Sequence, residues 1–492
     1  MAITEGSALN SVASSQKQTL STNYLDLAAT ANEGWAQQYV PDLMEKEAEV
    51  FGNRTISGFL SQIGAEEPMT ADQVVWSEQS RLHISLKGTI DLNGGDSNQG
   101  LFTVITDIDG NVSGDGFTVA NHGVRANDTV LLSSGNNVVK AIVHSVSGAA
   151  ISVKSYDTAV LEGLSEVASA TTLLVYGSEF KKGDTYGGSD ARTANEPTFK
   201  SFSNKPIILK DYYEVSGSDA SRIGWVEITS EGGASGYLWY LKAESDTRSR
   251  FTDYLEMSML EAEKTVGDSV IANSHGGTDS GAGGHGTQGL FAAIEDRGNI
   301  TSGVSGVNAA TDLAEFDAIL AEFDKQGAIE ENMMFVNRGT SLAIDDMLAS
   351  MNSYGAGGTS YGVFSNDEEM ALNLGFSGFR RGSYDFYKSD FRYLNDKATR
   401  GGINEVAGSA AIRGVIVPAG TSTVYDQNLG KNLTRPFLHV RYRASQTDDR
   451  KMKTWVTGSV GAATSALDAM QIHFLSERCL VTQGANNFML MK

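Results

Sequence analysis

The chain has one cysteine in 492 residues, seven scattered histidines, and 38 basic against 60 acidic residues. Each shortage excludes something. A lone Cys479, set in the apolar run CLV, closes no intrachain disulfide and reads as a buried, inert thiol. The histidines fall at no spacing that suits a metal, and neither an HExxH helix nor a GxSxG elbow occurs. The formal net charge of -22 repels phosphate backbones and disfavours broad nucleic-acid binding. No stretch approaches ~18 consecutive apolar residues, so no membrane-spanning helix is expected. The opening MAITEGSALNSVASSQKQ has no apolar core behind a basic region. No signal peptide is therefore expected, and the chain reads as one made in a cytosol-like compartment. A long chain with so little reactive equipment works by contact. No enzymatic activity, no cofactor and no metal are expected.

What is present is glycine, 54 in all, and strand-type patterning, with 40% apolar residues. The length allows roughly two to four domains. Residues 1 to about 33 are rich in Ser, Thr, Ala and Asn and read as an arm ordered against a partner. A short amphipathic helix is expected over Trp35–Val50, ending near Gly52. Residues 54–86 read as an extended two-strand arm. Glu66, Glu67 and Pro68 break one element, and Val74, Val75 and Trp76 begin another that continues through Leu82, Ile84 and Leu86.

From 88 to 180 the character changes. NGGDSNQG, DGN, SGDG, SGNN and SGAA recur at about ten-residue spacing between FTVI, FTVA, TVLL, VVKAIVHSV and AISVKSY. This predicts an inserted all-β barrel of about five strands. A polar linker, KKGDTYGGSDARTANEPT, follows over 181–198. The periodicity of Leu238, Leu241, Phe251, Leu255, Met259, Ala262 and Val266 predicts a helix over 235–266, roughly 45 Å long, stopped by Gly267. A glycine-rich loop spans Ala272–Gly289.

Beyond Leu290 the reading is α+β. A helix over Asp312–Gln326 carries Leu313, Phe316, Ile319, Leu320 and Phe323 on one face, with an Asp312/Glu315 capping box and Gly327 as its stop. Next come a strand, MMFV, and a helix from about Thr340 to Met351. Strands are expected over Ile412–Pro418, Phe437–Tyr442 and Lys453–Thr457, and the chain closes with AMQIHFL, RCLVTQ and FMLM.

Local motifs yield no chemistry. Asp107, Asp109 and Asn111 match the first three ligand positions of a calcium loop, but Val112 and Thr118 stand where glycine and glutamate belong, so a hairpin turn on DGN fits better. GAGGHG (Gly281–Gly286) neither follows a strand nor opens a helix, and its neighbours His275 and His285 lack a third ligand. Arg54, Glu66, Glu67, Trp76, Glu78 and Arg81 crowd an arm with little core of its own. Glu244, Asp246, Arg248 and Arg250 crowd the long helix. The bland reading is local salt bridging and a solvated helix face. The functional reading is intersubunit contact, for which Arg54, Glu66, Glu67, Trp76, Glu78, Arg81, Arg248 and Arg250 are the candidates.

The order of loose arm, extended arm, long helix, α+β segment and late return to strands resembles the major capsid proteins of tailed bacteriophages (Caudovirales). The blocks FGNRTISGFLSQIG, VVWSEQSRLH and HFLSERCLVTQGANNF are most similar to capsid proteins of crAss-like and related podoviral phages. The resemblance covers most of the chain outside 88–180. It implies an α+β fold of the Hong Kong 97 (HK-97) type. Its expected parts are an N-terminal arm (1–53), an E-loop arm (54–87 and 181–198), a P-domain with the spine helix (199–289), an A-domain (290–430) and a return to the P-domain (431–492). The barrel at 88–180 is the departure.

The resemblance further implies a homo-oligomer of hexamers and pentamers forming an icosahedral virion head, assembled in the bacterial cytoplasm. Such a head encloses double-stranded DNA without sequence-specific binding and without a membrane. Its partners are a portal, a scaffold and auxiliary or head-fibre proteins. Some members crosslink Lys to Asn between subunits. Lys87 lies in the E-loop region, but no partner is assigned to it. Two alternatives are a cellular cage protein of the same fold and a β-rich surface glycan-binding protein.

Overall fold

The computed structural model describes residues 59, 65–78, 81–92, 99–113, 117–157, 161, 164, 171–183, 200–218, 228–229, 235–236, 238–265, 286–327, 329–351, 378–419, 421–426, 431–460 and 463–492. The expected N-terminal arm, its helix, Arg54, His275, His285 and most of the linker before Phe199 lie outside the described residues.

In chain order the first strands are β1 (Ala65–Met69), β2 (Val74–Glu78), β3 (Ser85–Leu92), β4 (Gln99–Asp107), β5 (Asp128–Ser134), β6 (Asn137–Ser147), β7 (Ala150–Ser155), β8 (Thr171–Ser178), β9 (Lys200–Asn204), β10 (Ile207–Ser216), β11 (Ile228–Thr229) and β12 (Ser235–Gly236). There follow α1 (Leu238–Glu261), α2 (Leu290–Arg297), β13 (Asn299–Thr301), α3 (Ala309–Gln326), β14 (Glu331–Val336), α4 (Arg338–Met351), β15 (Gly378–Arg381), β16 (Tyr384–Asp390) and α5 (Arg400–Ala407). The last are β17 (Gly414–Pro418), β18 (Thr421–Asp426), β19 (Lys431–Pro436), β20 (Leu438–Arg443), β21 (Lys453–Gly458), β22 (Ala469–Thr482) and β23 (Met489–Met491). The described residues fall into two compact units. The first holds Phe59, 208–258 and 449–476, and the second holds 60–207, 259–448 and 477–492.

In the second unit, β3 to β8 close a six-stranded barrel in the order β3-β4-β7-β6-β5-β8. The period-two pattern makes it: Ile151 and Val153 of β7 point inward between half-exposed neighbours. They meet Ile90, Phe102, Val130, Leu132, Val139, Val143 and Leu173 in one core. The expected insert is thus a closed barrel, with six strands where about five were expected. Gly88 sits at an irregularity in the β3–β4 register, and a Cβ there would lie 2.1 Å from the Thr103 carbonyl oxygen. Glycine is what allows the two strands to approach. The turn on DGN follows β4, but β4 pairs with β3 and β7, so this turn joins no hairpin.

The same unit contains a six-stranded mixed sheet in the order β13-β23-β17-β14-β16-β15. One face is covered by α3 and α4. Phe316, Ile319 and Phe323 from α3 and Ile344, Met347 and Leu348 from α4 pack on Met334, Val336, Phe379, Phe386, Ile416, Met489 and Met491. The helix α3 is capped differently from expectation. Asn308, in extended backbone, accepts from the Thr311 N–H, which makes it the N-cap. Asp312 and Glu315 reach back to the preceding loop, accepting from the Gly306 and Ser305 N–H groups. Gly327 ends the helix at φ 67°. The last strand, β23, lies between β13 and β17 of this sheet, although it belongs to the segment expected to return to the P-domain.

The two-strand arm is corrected. β1 pairs in parallel with β20, and β2 pairs with β9, so the strands of 65–78 do not pair with each other. Charge is complementary across the observed pairing. Glu67 stands opposite Arg441 in the register and binds it at 2.8 Å, and Glu66 lies 3.6 Å from Arg478. The period-two run beyond β2 is interrupted at Arg81, Leu82 and His83, which are exposed and outside any strand.

In the first unit, β10 and β21 flank the first half of β22, and α1 lays Phe251 and Leu255 on Ile472 and Phe474. The helix has 24 residues, about 36 Å, and is shorter than the expected 235–266. Ser235–Gly236 is spent on a ladder with β11. After Glu261 the chain turns, and the Ala262 carbonyl accepts from the Gly289 N–H at 2.7 Å. Among the described residues, no helix is long and apolar enough to cross a membrane.

Candidate contact site at the base of the arm

Four segments distant in sequence meet where β2 and β9 pair. Trp76 and Phe202 are cross-strand partners with ring centroids 6.2 Å apart. Arg297, the last residue of α2, places its guanidinium 4.2 Å from the Phe202 ring centroid and 5.7 Å from that of Trp76. Its side chain is 11% exposed. One oxygen of Glu78 collects three donors: Trp76 Nε1 at 2.9 Å, Arg297 Nη1 at 3.2 Å and the Gly484 backbone N–H at 3.0 Å. A half-buried carboxylate facing a cation and two neutral donors is satisfied, and it ties the β2–β9 ladder to Arg297 and Gly484.

Beside this socket lies a second one. Asn204, 1% exposed, ends β9. Its Oδ1 accepts from Thr287 Oγ1, Gln288 N–H and Lys205 N–H, and its Nδ2 donates to the Gln288 and Leu480 carbonyls. One amide side chain thereby ties β9, the segment before α2 and β22 together.

The other contact candidates make contacts of their own. Glu66 and Glu67 bind Arg478 and Arg441 within the chain. Arg81 makes a two-pronged pair with Asp109, at 3.0 and 2.8 Å, and this pairing raises its pKa above the usual arginine value. Arg248 and Arg250 stand on α1 with more than half of each side chain exposed, near Glu244 at 3.7 Å and Asp211 at 3.9 Å. Val75 and Leu82, on β2 and just after it, are apolar yet 63% and 87% exposed. Trp76 and Glu78 are brought together by the structure, while Arg81, Arg248 and Arg250 are not part of that cluster.

Sequence reasoning missed Arg297, Phe202 and Asn204. Arg297 is one cation in LFAAIEDRGN, and nothing local marks it as the residue that closes on a tryptophan 221 positions earlier. The calcium-like triplet is occupied internally: Asp107 accepts from the backbone and side chain of Asn111, and Asp109 holds Arg81. Among the described residues, no group of three His, Cys, Asp or Glu is placed to hold a metal ion. Cys479 is fully buried, and burial pushes its thiol up to about 12, against a lowering influence of Arg441.

No family model matches the chain. No curated protein matches it either. Among solved structures it is similar to one from Microbacterium phage Oxtober96 at TM-score 0.38 and 8% identity, over 93% of this chain and 96% of that one. It is similar to the capsid structure of the cyanophage P-SCSP1u at TM-score 0.33 and 7% identity, over 63% and 80%. It is also similar to the asymmetric unit of the bacteriophage PhiM1 mature capsid at TM-score 0.31 and 9% identity, over 64% and 78%.

Proposed function

We propose that this chain is the major capsid protein of a tailed bacteriophage. It is a non-enzymatic subunit of HK-97 type that assembles as hexamers and pentamers into the icosahedral head around double-stranded DNA. The observation that carries the reading is the layout of contact parts along the chain. A paired arm base, β2 with β9, is anchored by Glu78 and Arg297 and has the closed barrel inserted between its strands. The long helix α1 lies on the strand β22, and an α+β layer with an aromatic core follows. This is the order that the sequence resemblance implies. Exposed Val75 and Leu82 supply apolar contact surface next to that base.

The domain division follows the same reading: E-loop arm 54–87 with 181–198, P-domain 199–289 with 431–492, and A-domain 290–430 completed by β23. Trp76, Glu78, Glu66 and Glu67 act within the subunit, where they hold the arm base and its edge strand. The contacts between subunits fall to Arg248, Arg250 and the exposed apolar residues of the arm. The net charge of -22 favours a wall that confines DNA over one that grips it. Partners are further copies of the chain, a portal, a scaffold and auxiliary proteins, in a virion assembled in the host cytoplasm.

The test is negative-stain imaging of the purified full chain at high concentration in virion-like salt, with and without a co-expressed scaffold. Rings of subunits and closed shells are the expected result. A monodisperse monomer under all of these conditions overturns the reading.

A further inference from the structure

The barrel and α3 meet at a junction where acidic groups gather on both sides and one arginine bridges them. On the barrel side is the turn after β4, with Asp107 and Asp109. On the helix side are Glu322, whose carboxyl Lys325 holds below the usual range against burial and the opposing negative charge of Asp109, and the last-turn carbonyl of Lys325 at the negative end of the helix dipole. The Lys325 ammonium is occupied by Glu322 at 3.1 Å.

Arg81 is that arginine. Its Nε and Nη2 hold both oxygens of Asp109, and the same Nη2 donates to the Lys325 carbonyl at 2.9 Å. The turn it grips is stiff, because Asp107 binds the backbone and side chain of Asn111 at 2.8 and 2.7 Å. The pair is also open to water, with Arg81 and Asp109 side chains each 40% exposed, so salt screens it. Arg81 lies between β2 and β3, where the chain enters the barrel.

We propose that Arg81 is a releasable clamp that sets the orientation of the barrel on α3. With the clamp closed, one rigid turn is pinned to one helix end. With Arg81 removed or screened, Asp109 loses its partner and its tie to the Lys325 carbonyl, and the orientation of the barrel on α3 is no longer fixed. The device makes the outward face of the barrel adjustable while leaving its fold intact.

The experiment measures single-molecule energy transfer in the unassembled full chain, so its outcome is separate from the assembly reading. Asn136→Cys on the exposed β5–β6 turn and Ala318→Cys on the exposed face of α3 carry the two dyes. Cys479 is buried and stays unlabelled. The clamped chain is expected to show one narrow distance distribution. R81Q and D109N are each expected to lose it to a broad one. R81K, which keeps the charge but not the fork, should fall between. The wild-type residues at about 1 M salt, where the Debye length is ~3 Å, should move toward the R81Q pattern. An unchanged narrow distance in R81Q, in D109N and in high salt overturns the proposal. If either variant fails to fold by circular dichroism, the salt titration of the unsubstituted chain decides alone.

Discussion

The barrel and the six-stranded sheet belong to one compact unit but are built on opposite plans. The barrel takes all its strands from 85–178 and fills its interior with Val, Leu and Ile around a single large buried ring, Phe102. The sheet collects strands from residue 299 to residue 491 and centres on interlocked rings. Phe316 meets Phe386 edge-on at 5.2 Å, and Phe379 stacks on Phe386 at 5.4 Å. A closed set of local ladders has no edge and depends on nothing outside itself. An open sheet assembled from distant strands depends on each of them, and long-range pairing of this kind is slow. The difference teaches where damage stays local and where it spreads.

The comparison is broken most severely at β23. Phe488, Met489, Leu490 and Met491 are each at most 1% exposed, and β23 fills the gap between β13 and β17. Deleting residues 488–492 is expected to abolish slow hydrogen exchange in β14 and β17 while β5, β6 and β7 stay protected. Retained protection across the sheet would show that it does not need its distant strand. Next in size is a matched pair of substitutions. Phe386→Ala and Phe102→Ala should each cost about 3–5 kcal/mol, the first in the sheet and the second in the barrel. Denaturant-dependent exchange read region by region checks this, and a loss shared equally by both regions would erase the distinction.

A smaller effect is expected from Gly88→Ala. The new methyl would meet the Thr103 carbonyl, part of the backbone and unable to rotate away. A cost of about 1–3 kcal/mol, seen as a lowered unfolding midpoint for the barrel alone, sharpens the picture of strands that must touch.

The smallest effect depends on pH. His122 is buried, which pulls its pKa below the ordinary histidine value against the opposing bond to the Gly148 carbonyl. Its Nδ1 accepts from the Val124 N–H, so Nε2 carries the proton toward Gly148. A second proton would have to go to Nδ1, which already accepts from Val124, in a buried site, so the folded barrel takes it up less readily than the unfolded chain. Its stability is complete above an unfolded value of ~6.5 and declines as pH falls through that value toward the lower folded one. Midpoints at pH ~7.5 and ~5 should differ for the barrel and converge in His122→Asn.

Much of this architecture was legible where its causes are local. Turn signals spaced about ten residues apart marked the barrel, and the spacing of Phe316, Ile319 and Phe323 marked α3, because period and turn chemistry act over a few residues. Pairing partners were not legible. Met69 and Val74 are separated by a turn-length gap, which made a hairpin the natural expectation. The choice between β2 and Arg441 as the neighbour of Glu67 is made 370-odd residues away. The capping box at Asp312 failed because Asn308 offered a better cap one turn earlier. The long helix was overextended because apolar spacing continues past Glu261, while its end is set by the returning glycine segment at Gly289. At the arm base, Trp76 and Glu78 were picked out by type, but Arg297 and Asn204 act through partners that only the fold supplies.

The parallel pairing of β1 with β20 has a consequence in time. Arg443 reaches back to the Thr70 carbonyl and to Asp72 across some 370 residues of chain. At 5–20 residues per second, a ribosome needs roughly 20–75 s to make that stretch. During that interval β1 has no neighbour, yet the barrel between them already has every strand it requires. The insert is therefore the first part of the second unit able to fold. All six of its strands are made while the earlier strand still waits for its partner.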